Sequence, residues 1–318
     1  MPLKGLTFLK LFDLHCDTLF RALDEDGGIV DNDYQLSVLS GRKYESWAQC
    51  FAVWVPDEYR GDAAISLFKR AKELFDREFQ KNSDLICKCK NADDIKTAAA
   101  AHKCAAILTV EGGAALAGDI RNLDYLYDCG VKMMTLTWNS SCELGGGSLT
   151  KAPNDGITDF GKNVVRRMAE LSIAIDISHA SDTLFYDVAS TVDAPLVASH
   201  SNSRAVCLHR RNLTDEQFSV IKSRSGLIGL NFAKQFLSDS DSASGYDILR
   251  HAEHFLALGG EEVVCLGTDL DGADVIDDVL CVERMDVLYE LFLRHNYSES
   301  LVEDIFFNNA FDFFARLG

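Results

Sequence analysis

The stretch Ala105-Ala106-Ile107-Leu108-Thr109-Val110-Glu111-Gly112-Gly113 reads as a buried strand that stops at a carboxylate. Six residues, apolar but for Thr109 and partly β-branched, suit a strand covered on both faces, as in a parallel sheet. A carboxylate behind so apolar a run needs a strong partner to offset its desolvation. Gly112 and Gly113 let backbone come close to whatever Glu111 meets.

The same pattern recurs along the chain. Runs of this kind occupy Leu11–Leu14, Ala48–Val55, Lys132–Thr137, Ile173–Ser178, Leu196–Ser199, Leu227–Leu230 and Val263–Thr268. Helical periodicity separates them at Asp62–Gln80, Asp119–Asp128, Asp159–Leu171, Asp182–Ser190, Asp215–Ser223 and Tyr246–Leu258. Val282–His295 and Ser298–Leu317 follow the last run. Thr158 and Thr214 stand where a helix cap is wanted. Eight strands alternating with helices predict an α/β fold, a TIM-like (β/α)8 barrel, with a doubly wound open sheet as the alternative. No repeat or Pro/Gly-rich linker divides residues 1–318, so one catalytic domain is expected.

Composition narrows the function. The 318 residues are 47% hydrophobic and 25% charged, and 31 Lys and Arg against 49 Asp and Glu give a net charge of −18. So acidic a surface repels phosphate backbones and anionic lipid, which disfavours nucleic-acid and membrane partners. The segment 1–10 lacks the apolar h-region of a signal peptide, and no run reaches the ~18 apolar residues of a membrane span. A cytoplasmic protein is expected, its 10 cysteines reduced. Most of them read as small buried hydrophobes.

In a (β/α)8 barrel, chemistry sits where the strands end. The run ends carry His15-Cys16-Asp17, Glu111, His179, His200 and Asp269. Imidazole and carboxylate are zinc ligands. His15 and Asp17, two apart on an extended chain, point the same way, which sends Cys16 the other way. Two metals roughly 3.5–4 Å apart need a carboxylate between them, and Glu111 is placed to supply it. Taken singly each residue has a structural reading: His179 and His200 as core histidines, Glu111 as an ion-pair partner. Five strand ends together point to a metal site. His251 and His254 fit a structural role on an outer helix, and His102 and His295 lie on helices without partners nearby. The acidic stretch Asp271–Asp278 reads as a solvated loop.

The ordered motifs His15-Cys16-Asp17, Val110-Glu111-Gly112-Gly113, Asp176-Ile177-Ser178-His179, Ser199-His200-Ser201, Arg211-Asn212 and Gly267-Thr268-Asp269-Leu270-Asp271-Gly272 resemble the membrane (renal) dipeptidases, metallopeptidase family M19. The match runs from the first strand to Asn309-Ala310-Phe311 and is similar to the soluble bacterial branch. The resemblance implies an amidohydrolase-like barrel with two Zn2+ per chain. By it His15 and Asp17 bind one zinc, His179 and His200 the other, and Glu111 bridges them. Arg211 holds the substrate, Asp269 sits beside the reactive water, and a homodimer is implied. One residue departs from the pattern: Trp138 stands where vertebrate members have a histidine at the reacting carbonyl, with Asn139 beside it as a substitute donor.

The function so implied is zinc-dependent hydrolysis of dipeptides by a metal-bridging hydroxide, with Asp269 moving the proton. Arg211 suits the terminal carboxylate through its bidentate fork, with His209 and Arg210 as neighbours able to share that role. The alternatives are another binuclear hydrolase on the same barrel (a lactonase, deamidase or deaminase) and a non-catalytic zinc-binding protein.

Overall fold

The structure is a computed structural model that describes residues 9–150, 155–240 and 242–318. The first eight residues, part of the segment read above for a leader, lie outside the described residues. Among the described residues nine parallel strands form: β1 (Lys10–Cys16), β2 (Ser46–Trp54), β3 (Ile86–Lys88), β4 (Cys104–Glu111), β5 (Val131–Thr135), β6 (Ala174–Asp176), β7 (Leu196–Ala198), β8 (Leu227–Leu230) and β9 (Val264–Leu266). Eight of them close a barrel in the order β1-β2-β4-β5-β6-β7-β8-β9, with β9 pairing back onto β1 at Leu266↔Asp13. Closure removes the sheet edges that an open doubly wound sheet would leave. All eight expected runs are barrel strands. The ninth, β3, was not expected; it pairs with the first half of β4 at Ile86↔Cys104, ahead of the point where β5 joins at Leu108↔Val131.

The helices are α1 (Thr18–Asp24), α2 (Asp62–Lys81), α3 (Ala92–Ala100), α4 (Arg121–Asp128), α5 (Asp159–Glu170), α6 (Asp182–Thr191), α7 (Asp215–Ser223), α8 (Lys234–Leu237), α9 (Gly245–Ala257), α10 (Met285–Arg294), α11 (Glu299–Glu303) and α12 (Asn309–Leu317). Sequence gives the physical reason for the longest. In α2, Ala64, Phe68, Ala71, Phe75 and Phe79 recur at intervals of three and four and are all buried, making one apolar face. Phe68 and Phe75 each contribute about 1.5–3 kcal/mol by leaving water. The expected caps form: Thr158 accepts from the Gly161 N–H, and Thr214 and Gln217 make a reciprocal capping box. Three short helices, α1, α3 and α8, escaped the periodicity because so few turns carry little pattern. The expected single helix Ser298–Leu317 is interrupted by a π-helical turn at Asp304–Asn308.

Each barrel strand sends at least one side chain to a common apolar cluster, including Leu14, Cys50, Ile107, Met133, Ala174, Val197, Leu227 and Cys265. Only the barrel interior is shared by all eight. Phe313 and Phe314 of α12 join that cluster, and Phe314 stacks on Phe12 near the start of β1 with centroids 5.3 Å apart. The C-terminal helix therefore plugs the floor, and polar groups are left for the opposite rim.

Candidate metal centre

Parallel strands bring their C-terminal ends to one rim, so residues from distant parts of the chain meet there. His15 is the penultimate residue of β1 and Glu111 the last of β4; Asp17, His179, His200 and Asp269 lie within three residues beyond β1, β6, β7 and β9. All six are buried. Oε1 of Glu111 lies 2.9 Å from Nε2 of His179 and 3.3 Å from Nε2 of His200. Its other oxygen, Oε2, lies 3.7 Å from Nε2 of His15. That nitrogen is in turn 3.4 Å from Oδ2 of Asp17 and 3.9 Å from Oδ1 of Asp269. The groups form overlapping ligand sets: Glu111 with His179 and His200, His15 with Asp17 and Glu111, and His15 with His200 and Asp269.

These separations fit metal ligation. Two atoms bound at ~2.0–2.2 Å to one tetrahedral ion lie roughly 3.3–3.6 Å apart. Nε2 of His15 and Oδ1 of Asp17 are buried without a hydrogen-bond partner among the described residues. Burying unpaired polar atoms costs about 1–3 kcal/mol each, which a cation there would offset. Glu111 offers one oxygen to each side, the arrangement a bridging carboxylate requires.

Neighbours hold the candidate ligands in place. Nδ1 of His179 is 3.0 Å from Oδ1 of Asn139, which can only accept, so Nδ1 carries the proton and Nε2 stays free to ligate. Nδ1 of His200 is 2.7 Å from Oγ of Ser199, whose hydroxyl donates onward to Asp176 at 2.6 Å. Asp176 also accepts from the Thr135 hydroxyl and the Ser178 and Ser199 N–H groups. Such partners fix the tautomer and orientation of a ligating imidazole. His179, Asp269 and Asp271 all adopt left-handed backbone, with φ of 68°, 63° and 67°. Strain of this kind collects where geometry serves function. At Gly272 any Cβ would lie 1.9 Å from Oδ2 of Asp17, so only glycine lets this loop pass the site.

Burial and mutual charge set the protonation of the metal-free site. Burial alone would depress His15, but Glu111, Asp17 and Asp269 outweigh it and push its pKa to about 10. Burial, with the charges of Arg211 and His15, holds His179 and His200 well below the usual histidine range. Burial lifts the carboxyls of Glu111 and Asp269, against the pull of His15.

Above the cluster opens a cavity of about 470 Å3 lined by Glu111, His179, Asp269, Trp138, Asn139 and Arg211 among others. The residues expected to bind substrate thus share one space with those expected to bind metal. Arg211 is only 4% exposed, which rules out a surface basic cluster for it. Its nearest acceptors are distant, with Nη1 3.5 Å from Ser201 Oγ and Nη2 3.4 Å from the His200 carbonyl, and Nε has no partner among the described residues. His209 lines the cavity too, whereas Arg210 is exposed and does not.

The remaining readings separate cleanly. The Cys16 thiol turns to the Cys50 carbonyl and joins no ligand set. His251 is structural: its Nδ1 accepts from the Ser203 N–H and its Nε2 donates to the Leu237 carbonyl. His254 pairs with Asp215. His102 and His295 are corrected: each sits just past its helix, His102 in a turn with φ of 52° and His295 at the end of α10. Asp271 also departs from the solvated loop expected. Its carboxylate accepts from Thr18, Arg21 and the Gln35 and Leu36 N–H groups and ties the loop to α1, while Asp274 and Asp277 pair with Lys234 at the surface.

Sequence reasoning missed Asn231, whose Nδ2 donates to Oδ2 of Asp269 at 3.0 Å, and the aromatic residues Phe20, Trp54 and Phe236 of the cavity wall. Asn231 directly follows the Leu227–Leu230 run and Trp54 ends β2, so both stand at strand ends; a census confined to charged groups and histidines passes over them.

A (β/α)8 barrel with joined imidazole–carboxylate clusters on its rim defines an amidohydrolase-like metal-dependent hydrolase. The family model of the membrane dipeptidases (peptidase family M19) matches residues 6–316. The chain belongs to that family and is an enzyme of the metallodipeptidase class. It is 27% identical to mouse dipeptidase 3 over 277 residues, 85% of this chain but 55% of the mouse protein's length. A Rhodobacter sphaeroides metallopeptidase, solved with a phosphinate mimic of the dipeptide L-Ala-D-Ala, superposes with a TM-score of 0.91 at 25% identity, covering 98% of this chain and 100% of that one. The family M19 dipeptidase AC gives a TM-score of 0.90 at 27% identity, covering 98% of each chain.

Proposed function

We propose that the protein hydrolyses dipeptides at a two-zinc centre held by His15, Asp17, Glu111, His179 and His200. The observation that carries the choice of substrate is Arg211: a buried guanidinium, poorly satisfied within the protein, facing the same cavity as the ligand cluster. Its planar fork matches a terminal carboxylate, and a longer peptide puts no carboxylate there. Bound zinc would acidify a water to a hydroxide and polarise the scissile carbonyl.

The protein's own groups do the rest. Arg211 anchors the carboxylate and fixes the register of the peptide bond. Asn139 and Ser199 keep His179 and His200 in the tautomer that ligates. Asn231 occupies Oδ2 of Asp269, which leaves Oδ1 to take the proton of the attacking water and return it to the leaving amine. The same resemblance implies a homodimer, which sedimentation velocity tests.

The deciding assay offers dipeptides, lactones and N-acyl amino acids to the protein before and after chelation and zinc add-back. Dipeptide turnover that disappears with chelation and returns with zinc is expected. Full activity of metal-free protein, or turnover of lactones alone, overturns the proposal.

A further inference from the structure

Trp138, which the resemblance sets where vertebrate members have a histidine, lines the cavity, and the structure shows what it packs against. Its ring packs edge-on against Trp54 with centroids 4.9 Å apart, and Trp54 packs edge-on against Phe20 at 4.6 Å. At the other end Trp138 approaches the His179 ring at 6.2 Å. All three aromatic residues are half-buried and line the cavity over the ligand cluster. Leu149, held to the Asn139 carbonyl through its N–H at 3.0 Å, adds an aliphatic side chain to the same lining.

The barrel order places this wall relative to Arg211. Trp54 ends β2 and Trp138 lies three residues past β5; Arg211 follows β7, four strands of the eight-strand ring away from β2. Trp138 stands nearer, β5 being two strands from β7, and the wall shares one cavity with Arg211, Glu111 and His179. A dipeptide whose carboxylate lies on Arg211 and whose scissile carbonyl lies at the ligand cluster directs its N-terminal residue at the wall. The cavity's acidic residues compete weakly for a basic side chain there, because Asp271 is already paired with Arg21 and Asp274 with Lys234. Of the acidic groups on this side, Asp24 is exposed to solvent.

We infer that Phe20, Trp54 and Trp138 form the subsite for the N-terminal side chain and select dipeptides that begin with a large apolar residue. This rests on the dipeptidase reading and on Arg211 as carboxylate anchor. An apolar pocket distinguishes side chains by roughly 10–200-fold per group added, so the effect is within reach of steady-state kinetics.

The test measures kcat and KM of the zinc-loaded enzyme and of Trp54→Ala, Trp138→Ala and Trp138→His on Gly-Ala, Leu-Ala, Phe-Ala and Lys-Ala. In the parent enzyme kcat/KM for Phe-Ala and Leu-Ala is expected to exceed that for Gly-Ala at least tenfold. Each variant is expected to shrink the Phe-Ala to Gly-Ala ratio about tenfold, chiefly through KM for Phe-Ala. A general loss of structure lowers both substrates together and leaves that ratio in place, which overturns the inference. So does a flat profile in the parent enzyme, or a preference for Lys-Ala. No hydrolysis of any dipeptide by the parent enzyme overturns the dipeptidase reading and the subsite with it.

Discussion

The Nε2 atoms of His179 and His200 face each other at 3.0 Å, beside one oxygen of Glu111. Burial holds both rings neutral, and their Nδ1 atoms are engaged with Asn139 and Ser199. Two lone pairs then converge on one point, an arrangement that a cation stabilises. Zinc is expected to raise the melting temperature by several degrees and chelation to lower it. At free metal 100 times Kd the added stability is about 2.7 kcal/mol. Calorimetric scans with and without chelator check this, and elemental analysis should find two ions per chain.

In the proposed two-zinc centre Asn139 would act on the metal through His179, which it contacts at 3.0 Å. Replacing it, as Asn139→Ala, releases the ring to rotate and change tautomer. Loss of such a partner typically weakens metal binding by about 10–100-fold. Competition with a chromophoric chelator is expected to show that loss at one of two sites, with the second little changed.

Metal uptake should be strongly pH-dependent. His15 holds its proton up to about pH 10 in the metal-free site, above its ordinary value of 6.5, and an incoming ion must displace it. Below that pH His15 must give up its proton to the ion, so affinity rises with pH. In metal-free protein the sign is opposite for stability. The raised pKa contributes stability that is fully present below pH 6.5 and is lost as pH rises through about 10. Titration calorimetry in buffers of different ionisation enthalpy measures the proton release directly.

Asp269→Asn removes the carboxylate proposed to move the proton but keeps an oxygen near His15. A fall in kcat of about 10²–10⁴-fold is expected, the usual weight of a general acid–base group, with zinc content still near two per chain. Unchanged turnover would remove Asp269 from the mechanism; lost zinc would make it a ligand instead.

Arg211→Lys keeps the charge and loses the fork. KM for a dipeptide is expected to rise at least tenfold, by roughly the 1.4 kcal/mol that one decade represents. The parent enzyme should show a comparable penalty on a dipeptide amide, which has no terminal carboxylate. The variant keeps a cation, so it should still prefer acid to amide, but by a smaller factor than the parent enzyme.

Much of this protein was legible along the chain. Short apolar runs ending near His15, Glu111, His179, His200 and Asp269 report both the strands and the candidate ligands, because strand ends and these side chains are adjacent in sequence. Local spacing likewise turned Cys16 away from His15 and Asp17. What the chain could not report is which strands become neighbours and that the ring closes. Pairing of adjacent strands brings Asn139 to His179 and Asn231 to Asp269. Closure brings His15 beside Asp269, sets Glu111 between two clusters, and gathers Trp54, Trp138 and Arg211 around one cavity. Periodicity records which face of a strand is apolar; it carries no information on which strand lies across the ring. That relation is created when β9 pairs with β1, and it is what turns Trp138 from a departure from a pattern into one side of a binding cavity.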